Sequence, residues 1–195
     1  MDQVYDVNMA ETYHHGNLRE GLVSAALELL DGGDTAPSLR EVARAAGVSA
    51  MAPYRHFADR GALLRAVAER GFAQLREVLL VADAAENARA ALIAQGRAYV
   101  DFARAHPALF RLMFSGEKTG GMPEGETAYT VLARRVAGIA PRRAEVATLA
   151  AWGLVHGLAT LLLDTRVGTL PPSAVDAALD LLVDGMAAQG STAAG

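Results

Sequence analysis

A short row of polar side chains near the start of the chain has chemistry that suits nucleic-acid phosphates. Tyr54, Arg55 and His56 follow one another and offer a hydroxyl, a guanidinium and an imidazole. Hydroxyl and guanidinium groups donate hydrogen bonds to phosphate oxygens, and arginine also recognises guanine in the major groove. The row lies in a stretch, Ser38–Leu64, whose short helical patterns are joined at Gly47, a residue type that tolerates the left-handed backbone of a tight turn. This arrangement predicts a helix-turn-helix.

The distribution of charge favours the same chemistry. Six arginines and only three acidic residues lie between Ser38 and Arg70, a local excess of three positive charges. The whole chain carries a formal net charge of −4, which argues against a protein that coats nucleic acid without selectivity. We therefore expect a basic surface confined to this region.

Patterns typical of catalysis or metal binding are missing from the sequence. It has no nucleophile elbow, no phosphate-binding glycine loop and no paired carboxylates at a useful spacing, so we do not expect an enzyme. His14 and His15 are adjacent and point apart on any regular element, and no other histidines form an i, i+4 pair. There are no cysteines. We therefore expect no metal and no other cofactor.

Aromatic and apolar residues in the second half of the chain suggest a pocket. Trp152 and His156 are one helical turn apart and so share a helix face. An apolar lining with one polar group is the usual composition of a small-molecule site. The alternative is that these residues simply fill the core. The predicted pocket residues are Phe102, Leu109, Phe110, Met113, Phe114, Trp152 and His156.

Helical patterns account for nearly the whole chain. Alanine and leucine, both strong helix formers, dominate, and no segment alternates apolar and polar residues as a strand does. We therefore expect an all-α protein of about nine helices. The predicted helices begin at Asn17, Ser38, Ser49, Asp59, about Ala84, Pro107, about Glu126, Pro141 and Pro171-Pro172.

These helices divide into two functional parts. We expect a flexible tail over residues 1–12, a helix-turn-helix domain over 13–60, a regulatory and dimerisation domain over 61–189 and a second flexible tail over 190–195. The segment Ser115–Gly125 contains four glycines and one proline. It is predicted to be a mobile loop that gates a ligand site.

Several runs of the sequence resemble the TetR family of repressors. The most specific are SLREVARAA and GVSAMAPYRHFADRGALL, which together span residues 38–64, and YHHGNLR at residues 13–19. Two further runs, HPALFRLMFS and AWGLVHGLATLL, resemble the subgroup whose regulatory domain is named for a Trp-His-Gly signature. The resemblance covers nearly the whole chain. It implies a homodimer paired through its last two helices, with a ligand pocket in the C-terminal core.

The resemblance also suggests roles in DNA binding. Tyr54 matches a tyrosine that contacts phosphate, and Arg60 stands where the family usually has a lysine at the start of a helix. Ser49 is expected to cap the recognition helix. The predicted DNA-binding residues are Arg40, Ser49, Ala50, Met51, Tyr54, Arg55, His56 and Arg60.

The last two predicted helices have apolar faces wider than an intramolecular core needs. The apolar run within Ala150–Leu163 is too short for a typical membrane span, and its two glycines permit close packing of helices. We therefore expect a dimer and no membrane partner. The predicted interface residues are Gly153, Gly157, Leu161, Val175, Leu179 and Leu182.

Together these patterns predict a cytoplasmic, ligand-responsive transcriptional regulator. We expect a repressor that a small apolar or amphipathic molecule releases from a palindromic operator. Two alternatives remain, an activator of the same design and a helical interaction module that has lost DNA binding. The intact Tyr54-Arg55-His56 row argues against the second alternative.

Overall fold

The computed structural model describes residues 18–115, 125–164 and 171–191, and over these residues it is helical without any strand. The predicted all-α class is confirmed. Asn17, both histidines of YHHGNLR, the predicted N-terminal tail, residues 192–195 of the predicted C-terminal tail and most of the predicted gate lie outside the described residues. Residues 190 and 191, predicted to be part of that second tail, are helical. The helices are α1 Leu18–Asp31, α2 Leu39–Ala45, α3 Arg60–Ala82, α4 Ala88–Ala105, α5 Pro107–Met113, α6 Ala128–Ile139, α7 Ala144–Leu163 and α8 Pro172–Ser191, with 3₁₀ turns at Pro53–Arg55 and Pro141–Arg143.

Side-chain caps determine where several of these helices begin. The Ser38 hydroxyl accepts the Glu41 N–H at 3.3 Å, and the Glu41 carboxylate accepts the Ser38 N–H at 2.8 Å, which forms a capping box at the predicted start of α2. The Asp59 carboxylate caps α3 by accepting the Ala62 N–H. The Asn87 side chain caps α4, which therefore begins at Ala88 and not near Ala84 as predicted.

The predicted third helix, Ser49 to about His56, is instead a turn followed by a 3₁₀ turn; we call these eight residues the recognition segment. In an α-helix starting at Ser49, residue 53 would donate its N–H to the Ser49 carbonyl, and a proline has no N–H to donate. The Ala52 N–H makes this bond instead at 2.9 Å, in the i to i−3 pattern of a 3₁₀ helix. Pro53 therefore tightens this segment.

α3 connects the N-terminal helices to the rest of the protein. Its first half buries Leu63 and Val67 in the core shared with α1 and α2, and its second half buries Leu75 and Leu79. Two polar contacts between α1 and the later helices fix the same arrangement. Asp31 lies 3.0 Å from the His106 Nδ1 atom, and Arg70 donates to Glu20.

α4 lies at the centre of the C-terminal part and packs against α3, α6, α7 and α8. α8 runs antiparallel to it. Two arginines of α4 pair with aspartates spaced one turn apart on α8: Arg97 pairs with Asp176, and Arg89 pairs with Asp180 and Asp184. Between these ion pairs, a Cβ atom added to Gly96 would lie 2.5 Å from Leu179 Cδ2, so only glycine fits there without movement.

Candidate DNA-binding surface and effector pocket

The recognition segment presents its polar side chains outward because its apolar ones are anchored in the core. Pro53 is buried and Phe57, which follows the segment, is 3% exposed. Tyr54, which lies between these two buried residues, is 47% exposed, and Met51, which precedes them, is 70% exposed. The apolar side chain of Met51, exposed beside Tyr54, suits contact with a thymine methyl group.

All eight residues of the predicted DNA-binding set lie at the surface. Arg40 is exposed on α2, and Arg55 and His56 are exposed beside Tyr54. Ser49 does not cap a helix as expected: Ala52 precedes the 3₁₀ turn, which has no side-chain cap. The Ser49 backbone carbonyl, not its hydroxyl, closes the turn.

Arg60 has a structural task that the sequence did not reveal. Its guanidinium donates from Nε to the Pro37 carbonyl at 3.1 Å and from Nη2 to the Ala36 carbonyl at 2.9 Å. These bonds hold the loop that leads into α2. A phosphate contact by Arg60 stays a prediction, and it would have to use the remaining N–H groups of the fork.

Arg19 is a further cation beside this surface that the sequence analysis did not single out. Its guanidinium lies 5.2 Å from the centre of the Phe57 ring, a cation–π distance. Arg19 is exposed, as is Arg44 on α2. The only signal in the sequence was the position of Arg19 at the end of the YHHGNLR run.

An aromatic cluster occupies the middle of the C-terminal part, and Tyr99 of α4 is at its centre. The Tyr99 ring lies 5.2 Å from Trp152 and 5.8 Å from Phe110, both edge-on. Phe114 contacts His156 at 4.5 Å between ring centres. Tyr99 was not among the predicted pocket residues, yet its ring lies against three members of the cluster, Phe110, Trp152 and His156.

A hydrogen bond of 3.0 Å joins the Tyr99 hydroxyl to His156 Nδ1. Burial raises the pKa of Tyr99 and lowers the pKa of His156. At neutral pH Tyr99 therefore keeps its proton and the imidazole of His156 is neutral. In the tautomer in which Nδ1 accepts the Tyr99 O–H, the single proton of the imidazole resides on Nε2. His156 can then offer an N–H donor to a bound molecule.

His156 also lines an outer cleft of about 310 Å³. Its walls are aromatic on one side, and on the other the Arg111 guanidinium donates to the Leu163 carbonyl at 3.0 Å. A cleft with aromatic walls and a charged rim suits an amphipathic molecule. The lining residues are Phe110, Arg111, Phe114, His156, Thr160, Leu163 and Asp164.

The predicted pocket residues do not all share one site. Phe110, Phe114 and His156 line the outer cleft, whereas Trp152 lines a second space on the other side of Tyr99, the inner cavity. The remaining three, Phe102, Leu109 and Met113, are buried. The inner cavity is lined by Leu79, Leu92, Gln95, Gly96, Tyr99, Leu132, Ala151, Trp152, Val155, Leu179, Leu182 and Val183.

The outward sides of α7 and α8 form an apolar face that none of the described residues covers. Residues 141–163 are long and apolar enough to cross a membrane by length and composition, with a mean hydropathy of 1.8, and only 22% of their most apolar window is buried. Helix α8 adds Leu181, which is 76% exposed. The apolar face consists of Val146, Leu149, Gly153, Gly157, Leu161, Leu181 and Gly185.

The structure separates the predicted interface residues into two groups. Gly153, Gly157 and Leu161 lie on the apolar face. Val175 and Leu179 do not, because both are buried within the chain, and the side chain of Leu179 packs over Gly96. Leu182 is partly buried and lines the inner cavity. The sequence analysis missed Leu181, which is apolar like its neighbour Leu182 but is exposed on the outward side of α8.

Acidic and histidine side chains do not gather into a metal site in the part of the chain that the structure describes. No group of three or more of them there could hold a metal ion.

Two family models match the sequence, and together they span most of it. Residues 22–67 match "Bacterial regulatory proteins, tetR family", and residues 92–186 match "Tetracyclin repressor-like, C-terminal domain". Neither description names the Trp-His-Gly subgroup, which stays a prediction. Both describe regulators, in agreement with the expectation that the chain is not an enzyme. None of the curated proteins compared with the sequence matches it.

Solved structures extend this likeness over nearly the whole chain. A protein of unknown function from Rhodococcus sp. RHA1 is 36% identical, with 91% of this chain and 99% of that chain covered and a TM-score of 0.75. A TetR variant from Acinetobacter baumannii AYE, in complex with minocycline, is 22% identical over 91% and 96%, with a TM-score of 0.65. A TetR regulator from Streptomyces coelicolor is 21% identical over 87% and 97%, with a TM-score of 0.66. The chain belongs to the TetR family of DNA-binding transcriptional regulators.

Proposed function

We propose that this protein is a cytoplasmic repressor that binds a palindromic operator as a homodimer and is released by a small apolar or amphipathic molecule. The observation that carries the proposal is the exposed row of the recognition segment. Met51, Tyr54, Arg55 and His56 all lie at the surface, while Pro53 between them is buried and fixes the backbone. Side chains held on a rigid turn can contact bases and phosphates without losing much conformational freedom.

The apolar face of α7 and α8 supports the dimer. A soluble chain rarely leaves side chains such as Leu149 and Leu181 exposed together unless another surface covers them. A second copy meets this need, because a two-fold axis pairs the same face with itself. In such a dimer, the two recognition segments would enter successive major grooves of the DNA, whose centres lie about 34–36 Å apart.

The outer cleft supports the response to a small molecule. Its aromatic walls, Phe110 and Phe114, would bind an apolar ring, while His156 Nε2–H and the Arg111 rim would bind an acceptor group. The minocycline complex of the Acinetobacter baumannii relative shows that this fold can hold such a molecule. Membership of the Trp-His-Gly subgroup is part of the same proposal and rests on the AWGLVHGLATLL run.

Fluorescence anisotropy with DNA from upstream of the protein's own gene, measured over a range of salt concentrations, tests the proposal. The test variant is Tyr54→Phe/Arg55→Gln. A dimer loses two phosphate-binding cations with Arg55, so the slope of log K against log salt should fall by about 1.8, that is two times 0.9. Arg104→Gln removes the same charge from an exposed position of α4 and should leave the slope unchanged.

Two results would contradict DNA binding as the function. One is an equal loss of affinity for the Arg104→Gln control and the test variant. The other is the failure of a random-sequence selection to enrich any site, which would favour an interaction module. A reporter gene placed behind the selected site then distinguishes repression from activation, and release of DNA by aromatic acids and amides tests the response to ligands.

A further inference from the structure

The front of the recognition segment differs in chemistry from its end. Ala50, Met51 and Ala52 have apolar side chains, whereas polar residues follow from Tyr54 onward. Met51 is 70% exposed, which makes it the most accessible large apolar side chain of the segment. In the major groove a base edge offers hydrogen-bonding groups and, at thymine, a C5-methyl group. Of these features, the methyl group is the one that an apolar side chain can recognise.

The backbone around Met51 is held in place by the turn itself. The Ser49 carbonyl accepts the Ala52 N–H at 2.9 Å, and this bond encloses Met51. The Ala52 carbonyl in turn accepts the Arg55 N–H at 3.2 Å, and the next residue, Pro53, is buried in the core. Met51 therefore projects from a fixed backbone position, while its unbranched and polarizable side chain can adapt to the surface that it meets.

Cations and a hydroxyl group surround Met51 on the same end of the molecule. Tyr54 is 47% exposed, and Arg55 beside it, Arg40 on α2 and Arg19 over the Phe57 ring are exposed as well. Contacts from such groups to phosphate contribute affinity for any sequence but do not distinguish bases. At the bases that face the front of the segment, discrimination is left to Met51 and its two shorter neighbours.

We propose that Met51 is a specificity-determining residue of this protein and that it reads the C5-methyl group of a thymine in each half of the operator. This inference rests on the proposed function and deepens it by naming the chemical group that the recognition segment distinguishes. Burial of one methyl group at each half-site should favour binding about fourfold, and the two half-sites together about fifteenfold.

Uracil provides the matched probe, because it has the hydrogen-bonding edge of thymine and lacks only the methyl group. The operator is first obtained by random-sequence selection with the purified protein. Deoxyuridine then replaces thymine at one pair of symmetry-related positions at a time, and fluorescence anisotropy measures Kd for each duplex. We expect one pair of positions at which the exchange weakens binding about fifteenfold.

The variant Met51→Ala identifies the side chain that the methyl group meets. It should bind the thymine duplex more weakly than the unsubstituted protein does, and it should bind the thymine and uracil duplexes equally well. Met51→Leu keeps an apolar side chain of similar size and should retain most of the preference for thymine. The control is Val81→Ala, which shortens a similarly exposed apolar side chain at the far end of α3 and should leave both Kd values unchanged.

Two results would overturn the inference. One is a selected site in which no thymine is sensitive to exchange for uracil, and the other is a sensitivity that persists undiminished in Met51→Ala. A protein that selects a site and gives either result keeps the proposed function and loses the role of Met51. A protein that selects no site at all loses both, since it then has no operator for Met51 to read.

Discussion

The substitution Gly153→Ala separates the stability of one chain from that of the dimer. In the single chain, a Cβ atom at position 153 meets nothing within 4 Å. Replacing glycine by alanine inside a helix stabilises it by about 1 kcal/mol. Taken alone, α7 should therefore become slightly more stable.

The dimer should respond in the opposite direction. If a second copy packs closely against the apolar face, the added methyl group of each copy clashes with its partner. Because the dimer is two-fold symmetric, the interface contains two such clashes. Overpacking costs about 1–3 kcal/mol at each site, so association should weaken by about 2 kcal/mol or more, roughly thirtyfold in Kd. The two opposite effects make this variant more informative than a charge introduced into the same face.

Sedimentation velocity over a range of protein concentrations measures the association, and urea unfolding at low concentration measures the chain. Gly138→Ala is the matched control, because it lies in α6, off the apolar face, and its Cβ atom would have only an ordinary contact at 3.9 Å. It should stabilise the helix without changing Kd. If Gly153→Ala leaves Kd unchanged, the helices do not approach closely at this glycine, and the reasoning is wrong.

Two further predictions concern the interior. Gly96→Ala should lower the free energy of unfolding by about 1–2 kcal/mol despite its better helix propensity, because its Cβ atom would overlap Leu179. In the double variant Gly96→Ala/Leu179→Ala, urea unfolding should show a loss in the free energy of unfolding that is smaller than the sum of the two single-variant losses. A loss equal to that sum would refute the overlap. Burial lowers the pKa of His156 below its ordinary 6.5. As the pH falls, the unfolded state therefore binds a proton at this histidine before the folded state does. The contribution of neutral His156 to stability is present above pH 6.5 and is lost as the pH falls through the folded pKa. The Tm advantage of the native sequence over His156→Asn should therefore shrink on acidification; a constant difference between about pH 7.5 and about pH 5 would contradict this.

Helix boundaries set by local chemistry could be predicted from the sequence. The Ser38–Glu41 capping box, the Asp59 cap and the start of α5 at Pro107 all depend on residues within one turn of the boundary. The start of α4 was missed because Ala84 has a high helix propensity, yet the Asn87 side chain, three residues later, caps a helix that begins at Ala88.

The recognition segment shows where such reasoning failed. The sequence predicts an α-helix that begins at Ser49, although this segment contains Pro53. In a segment this short, however, the missing N–H removes one of very few helical hydrogen bonds. Neighbouring i to i−3 bonds then become the better solution, and the segment forms a 3₁₀ turn. Tyr54 is nonetheless exposed, because Pro53 and Phe57 on either side of it are buried, and its role in DNA binding stays a prediction.

The candidate pocket could be predicted only in part, because contacts between distant helices decide it. Trp152 and His156 do lie on one side of α7, but the Tyr99 ring comes between them and divides the space in two. Gln95 could not be recognised at all. One glutamine in an amphipathic helix has no special spacing, and its burial depends on Asp83, twelve residues earlier, and on Arg135 from another helix.

The aspartates of α8 have a consequence for how the protein selects its helix register. Asp176, Asp180 and Asp184 repeat every four residues, so sliding α8 along α4 by one turn, about 6 Å, would bring each arginine opposite the next carboxylate. The shifted alignment would keep two of the three ion pairs and lose one exposed pair, because residue 188 is an alanine, so the charges hold α8 against α4 but barely distinguish the two alignments. That choice falls to Leu179, whose side chain fits over the single position where α4 has no side chain of its own, at Gly96. A steric contact between two residues sets the alignment that the repeating charges leave open.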